Sequence, residues 1–368
     1  MSAESDIRFL RQLQRLLDEG LFTSTYKYAL LQALADLSVE EQPATDGSLR
    51  LAVPDIAEKF IEYYWRQAVP FGTDGQDGAR LNPLLQNTGR QASIIRYLID
   101  ARSEAPGGTV ASLRLDVRAW AGLRDRVARV IREMPLWKLQ TVVEQPSEFL
   151  YRQAEFRDDR IRLLPGVASA FRNFHGLITH LVRGAWVARV QRIPGNRDLL
   201  GETASLESFL FGSDRATLAP WRDILREHQG GRCFYCDSRV RGAGELDHFV
   251  AWSRYPVDLG HNFVFSDSKC NLAKRDYLAH QDHLQRWRDE NLHRGDMLAA
   301  AFDAARLPHD MERSRRITEW AYRQGELAGA HVWIKGNEVS AIQATWRSAL
   351  GVEAVRLAAE ENADYDPL

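Results

Sequence analysis

The chain has 368 residues, 45% hydrophobic and 10% aromatic, enough to bury the cores of two or three domains, which excludes disordered and collagen-like proteins. Its 48 basic and 50 acidic residues nearly cancel to a formal charge of −2, so the whole-chain balance points to no polyanionic partner. Three cysteines cannot build a disulfide framework and indicate a reducing, cytoplasmic compartment. No apolar run reaches the about 18 residues of a membrane span, and the polar, acidic start after Met1 is unlike a secretory signal, so no membrane association is expected.

The first hundred residues read as helices. Ile7, Leu10, Leu13, Leu16 and Leu17 form one apolar stripe that ends near Gly20, and Tyr26, Leu30, Leu31, Leu34 and Leu37 form a second. A third opens at Pro54, tolerated in a first helical turn, and carries Ile56, Phe60, Ile61 and Tyr64. Tyr63-Tyr64-Trp65 inside it reads as core, with a platform for stacking bases as the alternative. A glycine-rich stretch from Gly72 and Ala105-Pro-Gly-Gly are breaks between helices. Residues 1–145 are therefore expected to be a helical N-terminal domain.

A basic connecting region is expected over residues 146–229. Phe149-Leu-Tyr and Arg160-Ile-Arg-Leu-Leu are short enough for strands, and Pro165 then opens a long helical period with Val167, Phe171, Phe174, Ile178, Leu181, Val182, Trp186 and Val190. From Arg162 to Arg197 there are six arginines and no acid, with Arg183, Arg189, Arg192 and Arg197 gathered at the end. Core on one face and a phosphate-facing surface on the other would reconcile the stripe with the charge, which makes Arg183, Arg189 and Arg192 candidate nucleic-acid contacts. Arginine outnumbers lysine 42 to 6, a bias that GC-rich coding explains as readily as a preference for bidentate phosphate contacts. Short helices are expected around 205–211 and 218–228, and further helices over 284–305, 311–325 and 339–359, the last leading into an acidic tail.

All three cysteines lie between Cys233 and Cys270, a span of 38 residues. Cys233 and Cys236 have the two-residue gap of a metal knuckle, Cys270 adds a third sulfur, and the same gap counted back from Cys270 gives Asp267. That set suits a structural zinc ion, with Asp267, His280, His283 or water as the fourth ligand. Within the frame, Leu246-Asp-His-Phe presents Asp247 and His248 at the end of an apolar strand. Asn262 precedes Phe263-Val-Phe, and Asn271 and Lys274 lie one helical turn apart after Cys270.

These residues resemble the His-Asn-His (HNH) endonuclease motif in its zinc-supported form, over roughly Gly230 to Leu278, about an eighth of the chain. Five elements stand in order: Cys-x-x-Cys, Leu-Asp-His-Phe, Asn-Phe-Val-Phe, Cys-Asn, and Lys three residues after that Asn. The stretch from Arg162 through Trp186 to Leu210 also resembles, more weakly, the lead-in of large bacterial HNH proteins. The resemblance implies a mostly α chain with a small α+β module: a ββα-metal nuclease domain over 230–280, preceded by helical regions and followed by a helical extension over 281–368.

It implies His248 as the general base, Asp247 and Asn271 as ligands of a catalytic divalent ion, Asn262 as the residue orienting the base, and Lys274 as a basic position near the phosphate. Oxygen donors suit magnesium or manganese, and the thiolates suit zinc. Asp267 stands where the family usually has Cys or His. His261 is a competing base, and Arg254 and Trp252, in the loop after the strand, are candidate DNA contacts, a packed Trp252 being the alternative. The expected function is a bacterial, cytoplasmic endonuclease on DNA, serving phage defence or restriction, with a partner protein of a defence system and homo-oligomers as options. A catalytically silent zinc module that binds nucleic acid or a protein, and a nuclease acting on RNA, are the alternatives.

Overall fold

The apolar stripes form helices in a computed structural model of the chain, which describes residues 3–71, 82–143, 145–200, 206–212 and 218–352. The chain divides into two units, one up to Gly212 and the other from Ser213 to Ala358. Among the described residues no helix is long and apolar enough to cross a membrane.

In the first unit, α1 (Ala3–Glu19) buries Phe9, Leu13 and Leu16, while Ile7, the first residue of the expected stripe, is exposed. Helix α2 (Tyr26–Glu40) is buried on every side, with α3 (Val53–Trp65), α8 (Val167–Asn173) and α9 (His175–Arg192) packed around it. The intervening elements are β1 (Leu49–Ala52), α4 (Ser93–Glu104), α5 (Val110–Leu115), α6 (Val117–Glu133), α7 (Pro135–Lys138), β2 (Thr141–Val142), β3 (Gln145–Pro146) and β4 (Arg160–Leu163). Pro54 lies in the first turn of α3, and Thr109 and Asp116 cap α5 and α6 by accepting backbone N–H groups. Tyr64 and Trp65 are core.

Strand β4 pairs antiparallel with β1, Leu49 opposite Leu163 and Ala52 opposite Arg160. Phe149-Leu-Tyr keeps only a single antiparallel bridge, Tyr151 opposite Leu163, instead of a strand, because the Gln140 side chain takes part of its backbone: Oε1 accepts from Leu150 N at 2.6 Å and Nε2 donates to Tyr151 O at 2.8 Å. The long helical period after Pro165 breaks at Phe174 into α8 and α9. Phe149, Ile161, Phe171, Trp186 and Leu210 of α10 (Leu206–Phe211) share one core with Phe9 and Leu30, so the unit runs past the 145/146 boundary expected from composition.

The second unit opens with α11 (Ala219–His228) and the cysteine loop, followed by β5 (Glu245–His248), β6 (Phe263–Ser266) and α12 (Ser268–Lys274). β5 and β6 are antiparallel, with Glu245 opposite Ser266 and His248 opposite Phe263. Gly244 enters β5 at φ +68°, where a Cβ would lie 2.2 Å from the Phe265 ring, so glycine is required by both conformation and space. Then come β7 (Leu278–Ala279), α13 (Gln281–Trp287), α14 (Gly295–Ala304), α15 (Met311–Leu327), β8 (His331–Lys335), β9 (Glu338–Ala341) and α16 (Trp346–Leu350).

Two expectations fail here. Residues 284–305 are not one helix: a π-helical turn, Arg288–His293, separates α13 from α14, and within it the buried Asn291 side chain donates to His261 O and Phe263 O at 3.1 and 2.9 Å. Val339 stands in β9 rather than in a helix, because the turn at Gly336, φ +48°, folds the chain back on β8, which also pairs in parallel with β7. The end of the expected 339–359 helix and the acidic tail lie outside the described residues.

Candidate functional site

The cysteine loop is built by its own backbone. Cys233 N donates to Ser238 O and Asp237 N to Cys233 O, both at 2.9 Å, and Asp237 turns the chain at φ +57°. Phe234 N donates to Phe265 O at 2.9 Å, and the Gln229 side chain bonds both the N–H and the C=O of Phe265 at 2.8 Å, which anchors the loop on β6. From the other side Asp267 caps α12, accepting from Cys270 N at 2.9 Å. The cap and the knuckle thereby meet.

The ligand atoms of Cys233, Cys236, Asp267 and Cys270 all lie within 4.8 Å of one another, and Cys236 Sγ donates to Asp267 Oδ2 at 3.2 Å. Zinc–sulfur bonds of about 2.3 Å in a tetrahedron set sulfurs about 3.7 Å apart, so a small contraction of this cluster fits one ion. Burial pushes the Cys233 thiol up to about 11, and burial, with Cys233 and Asp267 beside it, pushes Cys270 up as well. Burial also acts to raise Asp267, but the Cys270 amide and the three thiols outweigh it and hold the carboxyl at about 2. A metal ion therefore displaces thiol protons on binding. Of the other candidate fourth ligands, His283 Nε2 donates to Ile334 O at 2.8 Å, its ring stacked on Trp333, and His280 caps α13; neither belongs to the cluster.

Alternation along β5 turns Glu245 and Asp247 to one face, toward α12. Asn271 Nδ2 donates to Glu245 Oε2 at 2.6 Å. Asp247 Oδ2 faces Lys274 Nζ at 2.9 Å and accepts from the Tyr235 hydroxyl at 2.5 Å, and burial beside this carboxylate pushes the Tyr235 hydroxyl well above its usual range. Asp247 Oδ1 has no hydrogen-bond partner among the described residues. Lys274, expected near a phosphate, is fully buried instead: its place on the inner face of α12 aims Nζ at Asp247 and at His248 O, 3.0 Å away.

His248 points to the other side of β5. Its ring lies 4.6 Å from that of Phe263 and 5.5 Å from that of Trp252, and Nε2 is 2.9 Å from Asp258 Oδ1. Asn262, 2% exposed, clamps the chain just beyond: its side chain bonds both Val250 N and Val250 O, at 2.9 and 3.1 Å, and its carbonyl accepts from Phe249 N. The competing His261 is wholly buried against Phe302 and His309, which pushes its pKa down and closes it to a substrate.

Arg254 Nε donates to Asp276 O at 2.7 Å, and burial draws its guanidinium below its usual range. In the first unit Arg183 lies over the Phe211 ring and Arg189 bonds Thr23 O and the Thr88 hydroxyl, whereas Arg192 is exposed.

Sequence reasoning missed Glu245, Tyr235 and Asp258. The two-residue step from Glu245 to Asp247 was a usable signal for a shared strand face, and Tyr235 sits inside the cysteine knuckle. Asp258 lies ten residues beyond His248 in a loop, where an acid is commonplace.

Fold and site together define a mostly helical protein whose second unit carries a strand–strand–helix element braced by a Cys3Asp cluster. Residues 7–207, more than half of the chain, match a family described as a domain of unknown function (DUF8808), and the protein belongs to that family. The matched residues fall in the first unit and end before the cysteine segment. No curated protein and no solved structure matches the chain.

Proposed function

We propose that this protein is a metal-dependent HNH endonuclease that hydrolyses DNA phosphodiester bonds, with β5, β6 and α12 as its ββα-metal element and zinc in the Cys3Asp cluster. The observation that carries the reading is the placement of His248 at the end of β5, one residue from a carboxylate, Asp247, that keeps one oxygen unpartnered and faces the helix bearing Asn271.

His248 takes the proton of the attacking water as that water's oxygen bonds to phosphorus; the leaving oxygen departs with the electron pair of its P–O bond and is protonated by solvent. Asn262 holds the backbone just after His248. Asp247 Oδ1 and the Asn271 side-chain carbonyl would hold magnesium or manganese, which would stabilise charge on the phosphate and the leaving oxygen. Lys274 and Tyr235 fix the Asp247 carboxylate from its other oxygen. Arg254 and the exposed Arg192 are the arginines assigned to DNA. A bacterial, cytoplasmic role in phage defence or restriction, alone or with a partner protein, follows from the pairing of a nuclease with a large helical unit.

A different reading draws on Lys274, which already supplies Asp247 with a counter-charge: a zinc module that binds nucleic acid without turnover. Incubating the full chain with plasmid DNA and, separately, with RNA, in magnesium or manganese, beside His248→Ala and EDTA controls, decides between them. Metal-dependent cleavage lost in His248→Ala is the expected result, and the DNA and RNA arms identify the substrate. Tight binding with no cleavage under any metal overturns the nuclease in favour of the zinc module.

A further inference from the structure

We infer that Asp258 is a positioning residue for His248: it accepts the Nε2 proton, fixes the neutral imidazole in one tautomer and leaves Nδ1 as the atom that takes the proton from water. The inference rests on the nuclease reading above and adds to it the identity of the basic nitrogen and of the residue that selects it. Its observation is the hydrogen bond of 2.9 Å between His248 Nε2 and Asp258 Oδ1.

The loop has anchors besides the pair. The segment from Trp252 to Leu259 is fixed independently by Arg254 N to Ala251 O at 2.9 Å, by the buried Tyr255 and Leu259, and by Gly260 N to Pro308 O at 3.0 Å. Asp258 makes no other hydrogen bond or ion pair among the described residues, so its carboxylate is committed to the imidazole alone.

The ring cannot easily turn to exchange its nitrogens, with Phe263 at 4.6 Å and Trp252 at 5.5 Å on its flanks. A carboxylate only accepts, so the nitrogen it faces carries the hydrogen and the lone pair of the neutral ring lies on Nδ1, which has no hydrogen-bond partner among the described residues. The His248 side chain keeps 16% of its surface exposed and that of Asp258 28%, which leaves the ring reachable by water. A carboxylate that orients a catalytic imidazole through its far nitrogen and stabilises the imidazolium is the division of labour seen in acyl-transfer triads.

The test uses the full chain, loaded with zinc, in wild-type, Asp258→Asn, Asp258→Ala and His248→Ala forms. Two measurements are made: cleavage kinetics with a DNA substrate, and ¹⁵N NMR of the histidine rings in basic buffer, with the His248 signal assigned by its absence from His248→Ala. The expected result is a wild-type His248 protonated on Nε2 and bare on Nδ1. In Asp258→Ala that tautomer preference is lost and kcat falls about 10- to 100-fold with KM unchanged. Asp258→Asn, whose carbonyl can still accept but carries no charge, falls between the two.

A wild-type ring protonated on Nδ1 overturns the inference whether or not the variants fold, and so does an Asp258→Ala protein that cleaves at the wild-type rate. A fall in melting temperature with the tautomer and kcat retained assigns Asp258 to the structure alone and also overturns it. If the wild type shows the expected tautomer but cleaves neither DNA nor RNA, it is the nuclease reading that fails, and the positioning role falls with it.

Discussion

Asp36 in the first unit and Asp247 in the second are both buried carboxylates that accept a tyrosine hydroxyl, from Tyr63 at 2.6 Å and from Tyr235 at 2.5 Å. What surrounds them differs. Asp36 lies on the all-buried α2: Oδ1 accepts from Gln32 Nε2 at 2.9 Å and faces His175 Nε2 at 2.7 Å, and Oδ2 takes Tyr63, so both oxygens are engaged. Asp247 lies on a strand end, where Lys274 and Tyr235 share Oδ2 and leave Oδ1 unpartnered. A carboxylate bonded on both oxygens is a closed knot that joins α2, α3 and α9; one bonded on a single oxygen keeps a donor for a ligand. The same chemistry of burial thus yields a closed structural knot in one unit and, in the other, the open carboxylate on which the proposed site rests.

The sharpest break in this comparison comes from the two histidines. His248→Ala should reduce metal-dependent cleavage about 10²- to 10⁴-fold with the melting temperature little changed. His175→Ala should leave cleavage intact and lower the stability of the first unit, as read by hydrogen exchange of α2 amides. A His175→Ala protein that loses cleavage while its α2 amides stay protected would erase the distinction.

Removing a charge from either buried cluster, the Asp36 carboxylate or the Lys274 ammonium beside Asp247, comes next. Asp36→Ala and Lys274→Ala should each destabilise their own unit by about 3–5 kcal/mol, because each strands a buried polar or charged partner. Denaturant unfolding followed by hydrogen exchange locates the loss in one unit; a loss spread over both would contradict it.

Acid should act on the first knot over a defined range. Although burial works to raise it, the His175 hydrogen bond, the charges of His175 and Lys59 and the Tyr63 hydroxyl hold Asp36 at about 2, below the about 3.9 of an unfolded aspartate. Its contribution, about 2–3 kcal/mol, is therefore complete above about pH 4 and is lost as pH falls toward 2. Asp36→Asn should flatten α2 amide protection over that interval; an unchanged acid profile would show that Asp36 does not set it.

The metal cluster gives a further contrast. The purified chain should carry one zinc ion, Cys236→Ser should lower that content, and chelation should loosen amides of α12 and β6 while those of α2 keep their protection. Metal analysis and hydrogen exchange measure both, and a chain that binds no zinc would remove the cluster from the reading. Smallest are the hydroxyl deletions: Tyr63→Phe and Tyr235→Phe should each cost about 1–3 kcal/mol in thermal unfolding, as each leaves its carboxylate one donor short.

Much of the helical frame was legible because burial imprints a period on the sequence. The stripes at Leu13, Leu30 and Phe60 are core, and the spacing of Cys233, Cys236 and Cys270, with Asp267 counted back from the last, anticipates the cluster. Less legible was whatever depends on a side chain replacing a backbone partner. Gln140 takes the Leu150 N–H and cuts the expected strand to a single bridge, Asn291 sits where the helix widens into a π turn, and neither leaves a periodic mark. Val339 misled because it is an exposed apolar residue in a strand with no burial alternation, which reads equally well in a helix.

The sequence by itself therefore determined the helical frame and the makeup and order of the Cys3Asp cluster, since apolar period and residue spacing are local quantities. Tertiary structure alone decided which polar groups meet. It buried Lys274 against Asp247 rather than leaving it at the surface, closed His261 inside the core, and brought Asp258 across ten residues of loop to His248. The physical reason is that a hydrogen bond reaches about 3 Å, and whether two residues far apart in sequence come that close depends on how every element between them packs.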